Sequence, residues 1–326
     1  MLILVNGGAK QFAPFFFDMQ LRLRIILLFI GALLTVLSNF LIVSDANQFK
    51  LLLFSMVLLG VPHGALDLYI EGKDIHSKYQ KSNQFLLKYL LNIFLYASLW
   101  YLSPIIALII FIFITAYHFG EIDWMGKSDT WTQKFVYSLL GMCWILYFLS
   151  INISSALKIF LYVGQSNVTD QQWLHIASLV SPIALILIIA TYIVLLLKRK
   201  YFFYQSNHFY FSVIQLIILL VICHFSTLWV GFGFYFGLWH SILSFDKIRS
   251  SFSMPDTLKS WGHLLKQAMP FSIMAWIGML FIMFMFYSSK NSTSLVTLLF
   301  ITLSVLTLPH LQVFTKLKLR SSESSN

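Results

Sequence analysis

The sequence predicts an all-α integral membrane protein with about ten transmembrane helices and both termini in the cytoplasm. Of its 326 residues, 59% are hydrophobic and only 10% are charged, whereas soluble domains carry about 25% charged residues. The mean hydropathy is +0.80. Apolar stretches of about 20 residues, the length that a helix needs to cross a bilayer, recur along the whole chain. They leave no room for a separate soluble domain, so we expect residues 1–326 to form a single transmembrane domain.

The predicted crossings follow one another with short polar gaps. In chain order they are 25–44, 51–70, 85–102, 104–121, 133–151, 174–197, 209–224, 228–245, 269–287 and 294–314. The stretches 85–121 and 209–245 have almost no polar gap, but each is long enough for two crossings. Ser103-Pro104 and Ser226-Thr227 supply the expected breaks, because these residue types favour turns.

The distribution of basic residues supports this helix count. When the spans are numbered from a cytoplasmic N-terminus, 18 of the 22 lysine and arginine residues fall on the inner side, and only Lys50, Lys158 and Lys290 fall on the outer side. This asymmetry satisfies the positive-inside rule and predicts a multi-pass protein of the cell (cytoplasmic) membrane. It also attributes the net charge of +10 to contact with anionic lipid of the bilayer and not with nucleic acid.

The candidate metal ligands are histidines, because the two cysteines lie in apolar segments and give no metal-site spacing. His63, His118, His240 and His310 lie in the second, fourth, eighth and tenth spans, all of which run from outside to inside. Counted from the start of each span, they differ by only about 6 Å in depth. Ionisable residues inside a membrane are costly, and neutral imidazole binds iron, copper and zinc. We therefore predict one shared metal site in the inner half of the membrane.

A simpler interpretation of these four histidines stays open at this point. Each could be an independent residue whose ring is hydrogen-bonded to a neighbouring backbone group. The other five histidines fall in predicted loops or at predicted helix ends, where we expect surface positions: His76, His175, His208, His224 and His263.

The sequence around the histidines contains candidate supporting residues. Pro62 bends the helix before His63, while Gly60 and Gly64 allow another helix to approach closely. Asp67 follows His63 by one helical turn, and Glu121 follows His118 by three residues. Carboxylates beside metal-bound histidines usually accept the second ring N–H, so Asp67 and Glu121 are the candidate partners of the ligands, with simple solvation at the inner helix ends as the alternative. Asp123 and Asp246 are interpreted instead as solvated residues at inner helix ends.

At these positions the chain resembles the Brp/Blh family of membrane-bound beta-carotene 15,15'-dioxygenases. The matching segments are Pro62-His63-Gly64-Ala65-Leu66-Asp67, Tyr117-His118-Phe119-Gly120-Glu121, Trp239-His240-Ser241 and Leu308-Pro309-His310. The resemblance implies that dioxygen cleaves the central double bond of beta-carotene at a mononuclear Fe(2+) centre, giving two molecules of retinal. It implies catalytic and iron-ligating roles for His63, His118 and His240. Such retinal typically supplies a microbial rhodopsin.

One position departs from the family pattern, which continues His-Ser-x-x-His. The second histidine is replaced here by Ser244, a poor ligand for ferrous iron. Three possibilities follow: His310 is the fourth ligand, the iron has three histidines, or the activity is altered.

Other classes of protein are compatible with the same pattern. A carotenoid- or retinal-binding membrane protein without catalysis would explain Ser244. A haem protein would need two of the histidines as axial ligands, and a transporter would use them as proton relays. Metal content separates the first two from the enzyme: no metal indicates the binding protein, a haem absorption band indicates the haem protein, and iron without that band indicates the dioxygenase.

Overall fold

The computed structural model describes residues 8–41, 44–72, 80–157, 169–286 and 300–314. All regular elements in these ranges are helices, which confirms the all-α prediction. The main helices, in chain order, are α1 (Gly8–Phe40), α2 (Asp45–Gly72), α3 (Gln80–Leu102), α4 (Pro104–Asp123), α5 (Trp131–Ile151), α6 (Asp170–Leu197), α7 (Ser206–Phe225), α8 (Leu228–Ser251), α9 (Leu258–Phe286) and α10 (Phe300–Phe314). They correspond one to one with the ten predicted spans.

Nine of these helices, α1 to α9, are long and apolar enough to cross a membrane, within the ranges given above. The tenth, α10, is a shorter apolar helix, and the first residues of the predicted span 294–314 lie outside the described residues. The cytoplasmic location of both termini stays a prediction. Much of the charge pattern behind it lies outside the described ranges, at Lys73, Lys78, Lys158, Lys290, Lys316, Lys318 and Arg320.

The two tight breaks between helices lie at the predicted positions, Ser103-Pro104 and Ser226-Thr227. Helix α3 ends at Leu102 and α4 begins at Pro104, which suits proline because the first residue of a helix needs no backbone donor. Helix α7 ends at Phe225, and the hydroxyl of Thr227 accepts a hydrogen bond of 3.4 Å from the backbone N–H of Val230. That contact caps the start of α8. Both breaks therefore have local chemical causes that can be read from the sequence.

Two π-helical segments interrupt the helices that hold the first and third histidines. One covers Met56–Gly60 in α2, directly before Pro62, and the other covers Gly233–His240 in α8. Proline has no N–H, so the carbonyl of Val57, five residues before Pro62, loses its π-helical donor. The indole N–H of Trp276 donates to that oxygen at 2.9 Å. Such π-segments occur frequently at functional sites because they redirect side chains locally.

Close helix packing depends on glycines other than those singled out from the sequence. A Cβ atom at Gly60 or Gly64 would meet only ordinary contacts, at 3.6 Å and 4.0 Å. A Cβ atom at Gly120 would lie 2.1 Å from the carbonyl oxygen of Tyr137, and one at Gly141 would lie 2.1 Å from that of Ala116. Helices α4 and α5 therefore pack backbone against backbone. This close packing fixes the orientation of α4, the helix that carries His118.

A buried polar cluster joins four helices at one end of the core. Arg24 of α1 donates to the Gln215 side chain of α7 and to the carbonyl of Ile122 at the end of α4, both at 2.8 Å. Asp123 accepts hydrogen bonds from the Tyr235 hydroxyl and, at 2.6 Å, from the Trp239 indole of α8. The interpretation of Asp123 as a solvated residue is therefore wrong, because its carboxylate is held by two side chains of α8.

The interpretation of Asp246 as a solvated residue at a helix end is also wrong. It is only 5% exposed, and the guanidinium of Arg249 donates to its Oδ1 from two nitrogens at 2.6 and 3.0 Å. Because a buried carboxylate requires a charged partner, the arginine one turn later takes the place of solvent.

Candidate metal centre and adjoining cavity

The four intramembrane histidines come together in the folded chain. The ring centroids of His118 and His240 lie 4.7 Å apart, and those of His63 and His240 lie 5.2 Å apart. His310 lies 5.0 Å from His63 and 5.1 Å from His118 by the same measure. All four side chains are buried. Depth counting along separate helices thus correctly placed four residues in one layer.

Three of these histidines form a group with metal-site geometry. One nitrogen from each of His63, His118 and His240 can be chosen so that all lie within 4.8 Å of one another. His310 contacts the rings of His63 and His118 but stands outside this three-histidine group. The arrangement is compatible with a metal ion bound by three imidazoles, with His310 beside it.

The ring nitrogens of this cluster support a metal site over independent histidines. The nitrogens without a hydrogen-bond partner in the described chain are Nδ1 of His63, both nitrogens of His118, Nδ1 of His240 and Nε2 of His310. A buried polar atom left unpaired costs about 1–3 kcal/mol. For His118, the backbone-bonded interpretation is wrong, because neither nitrogen has a partner. A metal ion would satisfy several of these lone pairs at once, so the donor set fits a metal such as iron.

Asp67 supports a different histidine from the one that sequence spacing indicated. Its Oδ1 lies 2.7 Å from Nδ1 of His310, and its Oδ2 accepts a hydrogen bond of 3.0 Å from the Tyr89 hydroxyl. The reason is a turn at residues 65–66, which separates the segment containing His63 from the helical segment that begins at Asp67. The simple one-turn relationship between His63 and Asp67 is therefore lost. Sequence reasoning missed Tyr89, since one tyrosine in an apolar span shows no pattern.

Glu121 lies close to the cluster but is paired with a lysine. Its Oε1 lies 3.2 Å from the Lys247 ammonium, and the same ammonium lies 5.3 Å from the ring centroid of Phe314. Glu121 does not hydrogen-bond to His118, whose two nitrogens lack partners. The lysine side chain is 28% exposed and the glutamate 2%, so the pair places one buried negative charge and its counter-ion beside the histidines.

Ser244, which stands where the family pattern has a histidine, is fully buried. Its hydroxyl has no hydrogen-bond partner among the described residues.

A large apolar cavity adjoins the histidines. Its volume is about 710 Å³, within the range of about 300–1,000 Å³ that is usual for small-molecule sites. It lies among α2, α3, α4, α8, α9 and α10, and all four histidines, Asp67 and Tyr89 line it. Leu90 and Met274 also line it, and they are 59% and 66% exposed on the outer surface of the helices. The cavity is therefore bordered by residues that face lipid, which suits sideways entry of an apolar ligand.

These features define a class of helical membrane protein in which a buried histidine cluster forms part of the wall of an apolar cavity. The family model for beta-carotene 15,15'-dioxygenase matches residues 54–318, a segment that includes all four histidines. The chain belongs to this family, as the sequence motifs indicated. No curated protein and no solved structure matches the chain.

Proposed function

We propose that this protein cleaves the central double bond of beta-carotene with dioxygen at a histidine-ligated, non-haem iron within the membrane. The observation that carries the proposal is the buried group of His63, His118 and His240, with unpaired ring nitrogens, on the wall of an apolar cavity. Family membership supports a dioxygenase acting on beta-carotene. The reaction is balanced: the double bond breaks, and each of its two carbons gains one oxygen atom, giving two retinal molecules.

In this proposal His63, His118 and His240 hold Fe(2+), and His310 is the fourth ligand. Imidazole is a suitable donor for iron, so these four side chains are the ones that would hold it. Bound ferrous iron supplies the redox chemistry that activates dioxygen. His310 presents Nε2 as its available nitrogen because Asp67 lies against its Nδ1. The Asp67 carboxylate also offsets the positive charge of such a centre.

The chain's own residues contribute binding, orientation and exclusion of water. The cavity walls near the histidines include Phe119 and Phe236, whose flat apolar faces suit a conjugated hydrocarbon. Leu90 and Met274 border the cavity on the lipid side. We propose that beta-carotene enters from the bilayer there, and that retinal leaves the same way to supply a microbial rhodopsin.

Expression in a beta-carotene-producing bacterium, followed by pigment extraction and chromatography, tests this function. The wild type should convert beta-carotene into retinal, and His63→Ala should abolish retinal while the protein still accumulates in the membrane. His175→Ala is the matched control, because this histidine is exposed on α6, and it should retain wild-type yield. Retinal formation by His63→Ala at the wild-type rate would refute the proposed centre.

Metal analysis of the purified protein separates the alternatives. We expect about one iron per chain and no haem absorption band. Carotenoid bound without metal or turnover would indicate a binding protein, and a haem band would indicate an electron-transfer protein.

A further inference from the structure

A second, smaller apolar cavity lies behind the histidine cluster. Its volume is about 60 Å³, and it is bordered by α4, α5, α7, α8 and α10. Phe119 and Phe236 line both this cavity and the large one. These two rings therefore form a partition between the two spaces.

The partition is in direct contact with the candidate metal centre. The ring centroid of Phe119 lies 5.5 Å from that of Phe236 and 4.3 Å from that of His240. The Phe236 ring is stacked on the His240 ring at 5.9 Å. A molecule crossing the partition would pass beside a histidine of the proposed iron site.

The walls of the second cavity have the chemistry of a slot for a flat hydrocarbon. Aromatic rings dominate them: Phe111, Phe119, Trp144, Phe148, Phe232, Tyr235, Phe236 and Phe300. Along α4 the lining runs from Leu108 to Phe119, a rise of roughly 16 Å. Ile112, Ile145 and Leu149 also line the cavity and are only half-buried, so this wall borders the lipid and has room to move outwards.

We propose that Phe119 and Phe236 are a movable partition, and that the second cavity receives the half of a long polyene that lies beyond the scissile bond. The inference rests on the proposed function, since cleavage at the centre of a symmetric chain requires chain on both sides of the reactive site. A volume of about 60 Å³ is far below that of a usual ligand site. The second cavity must therefore enlarge to receive the chain. Because Phe119 and Phe236 line both cavities, rotation of these two rings would join the two spaces, which makes them specificity-determining residues in this proposal.

Filling the far part of the second cavity tests this proposal. Ile112→Trp adds bulk about 10 Å along α4 from Phe119. Ile109→Trp is the matched control, because Ile109 lies on the same helix and is 49% exposed towards the bilayer. Each variant is assayed with two substrates: beta-carotene, and an apocarotenal that keeps the central double bond but is shortened on one side of it.

We expect Ile112→Trp to lower kcat/KM for beta-carotene at least tenfold and to change the value for the shortened substrate less than twofold. Ile109→Trp should change neither value more than twofold. Equal losses for the two substrates, or no loss for beta-carotene, would overturn the partition. If Ile112→Trp does not accumulate in the membrane, Leu149→Trp, at a residue of α5 that lines the same cavity, is assayed in its place, with the same expected changes in kcat/KM for the two substrates. Absence of retinal from both substrates with the wild type would instead refute the proposed function, and the partition with it.

Discussion

Nδ1 of His310 lies 2.7 Å from Oδ1 of Asp67, a residue 243 positions earlier in the chain. Both side chains are buried, and the Tyr89 hydroxyl donates to the other carboxylate oxygen. A carboxylate in this position fixes the orientation of an imidazole and selects the ring nitrogen that remains available. For His310 that nitrogen is Nε2, which has no partner among the described residues. The tyrosine, aspartate and histidine thus form a chain of contacts ending at the cluster.

Asp67→Asn should weaken iron binding without removing the centre. An amide cannot accept the ring N–H with the strength of a carboxylate, and loss of such a partner typically costs 10–100-fold in metal affinity or activity. Iron per chain after dialysis against a chelator, and retinal yield, are the measurements.

Two variants make the Asp67 experiment specific. Tyr89→Phe removes only the outer hydrogen bond, so its loss of iron should be smaller than that of Asp67→Asn. Asp129→Asn, a substitution at an exposed position, should retain wild-type iron. If Asp67→Asn retains iron as well as Asp129→Asn does, the carboxylate does not support a ligand.

His310→Ala should lose iron as severely as His240→Ala if His310 is the fourth ligand. The structure leaves the role of His310 to be tested. His310 is not part of the three-histidine group, but its ring contacts two members of that group. Metal analysis of both purified variants, with retinal yield measured in parallel, provides the answer. Full iron and full activity in His310→Ala would leave a three-histidine centre.

The sequence predicted the helices and the histidine layer because both depend on local rules. Hydrophobic length sets the spans, and the breaks at Ser103-Pro104 and Ser226-Thr227 have their own turn and capping chemistry. Rise per residue then places His118 and His240 at one depth. The cavity was not predictable, since its walls come from six helices that only tertiary packing brings together.

Three of the carboxylates have partners that spacing along the sequence did not indicate. Asp67, Glu121 and Asp123 each contact a residue far away in sequence: His310, Lys247 and Tyr235 respectively. Spacing along one helix could not reveal these partners. At Asp67 the turn at 65–66 also changes the face that the carboxylate occupies.

Gly141→Ala should destabilise the protein and reduce its iron content together. The new Cβ atom would lie 2.1 Å from the carbonyl oxygen of Ala116, so α5 and α4 would have to separate, and α4 carries His118. Gly262→Ala is the matched control, since nothing lies within 4 Å of a Cβ atom there. Because alanine favours a helix over glycine, Gly262→Ala should leave the stability unchanged or raise it by about 1 kcal/mol. Thermal unfolding in detergent and iron analysis provide both readouts, and equal behaviour of the two variants would contradict the close packing of α4 on α5.

The ion pair between Glu121 and Lys247 can be tested by a double-mutant cycle. Each single substitution, Glu121→Gln or Lys247→Met, removes one charge from a partly buried pair whose atoms lie 3.2 Å apart. Removing one partner of a buried pair is more damaging than removing both, because the remaining charge loses its counter-ion. We expect each single variant to lose about 1–3 kcal/mol of stability, less than for a fully buried pair since the lysine is partly exposed. The double variant should recover part of that loss. Thermal unfolding of the four proteins measures the coupling, and additive losses would show that the two residues do not interact.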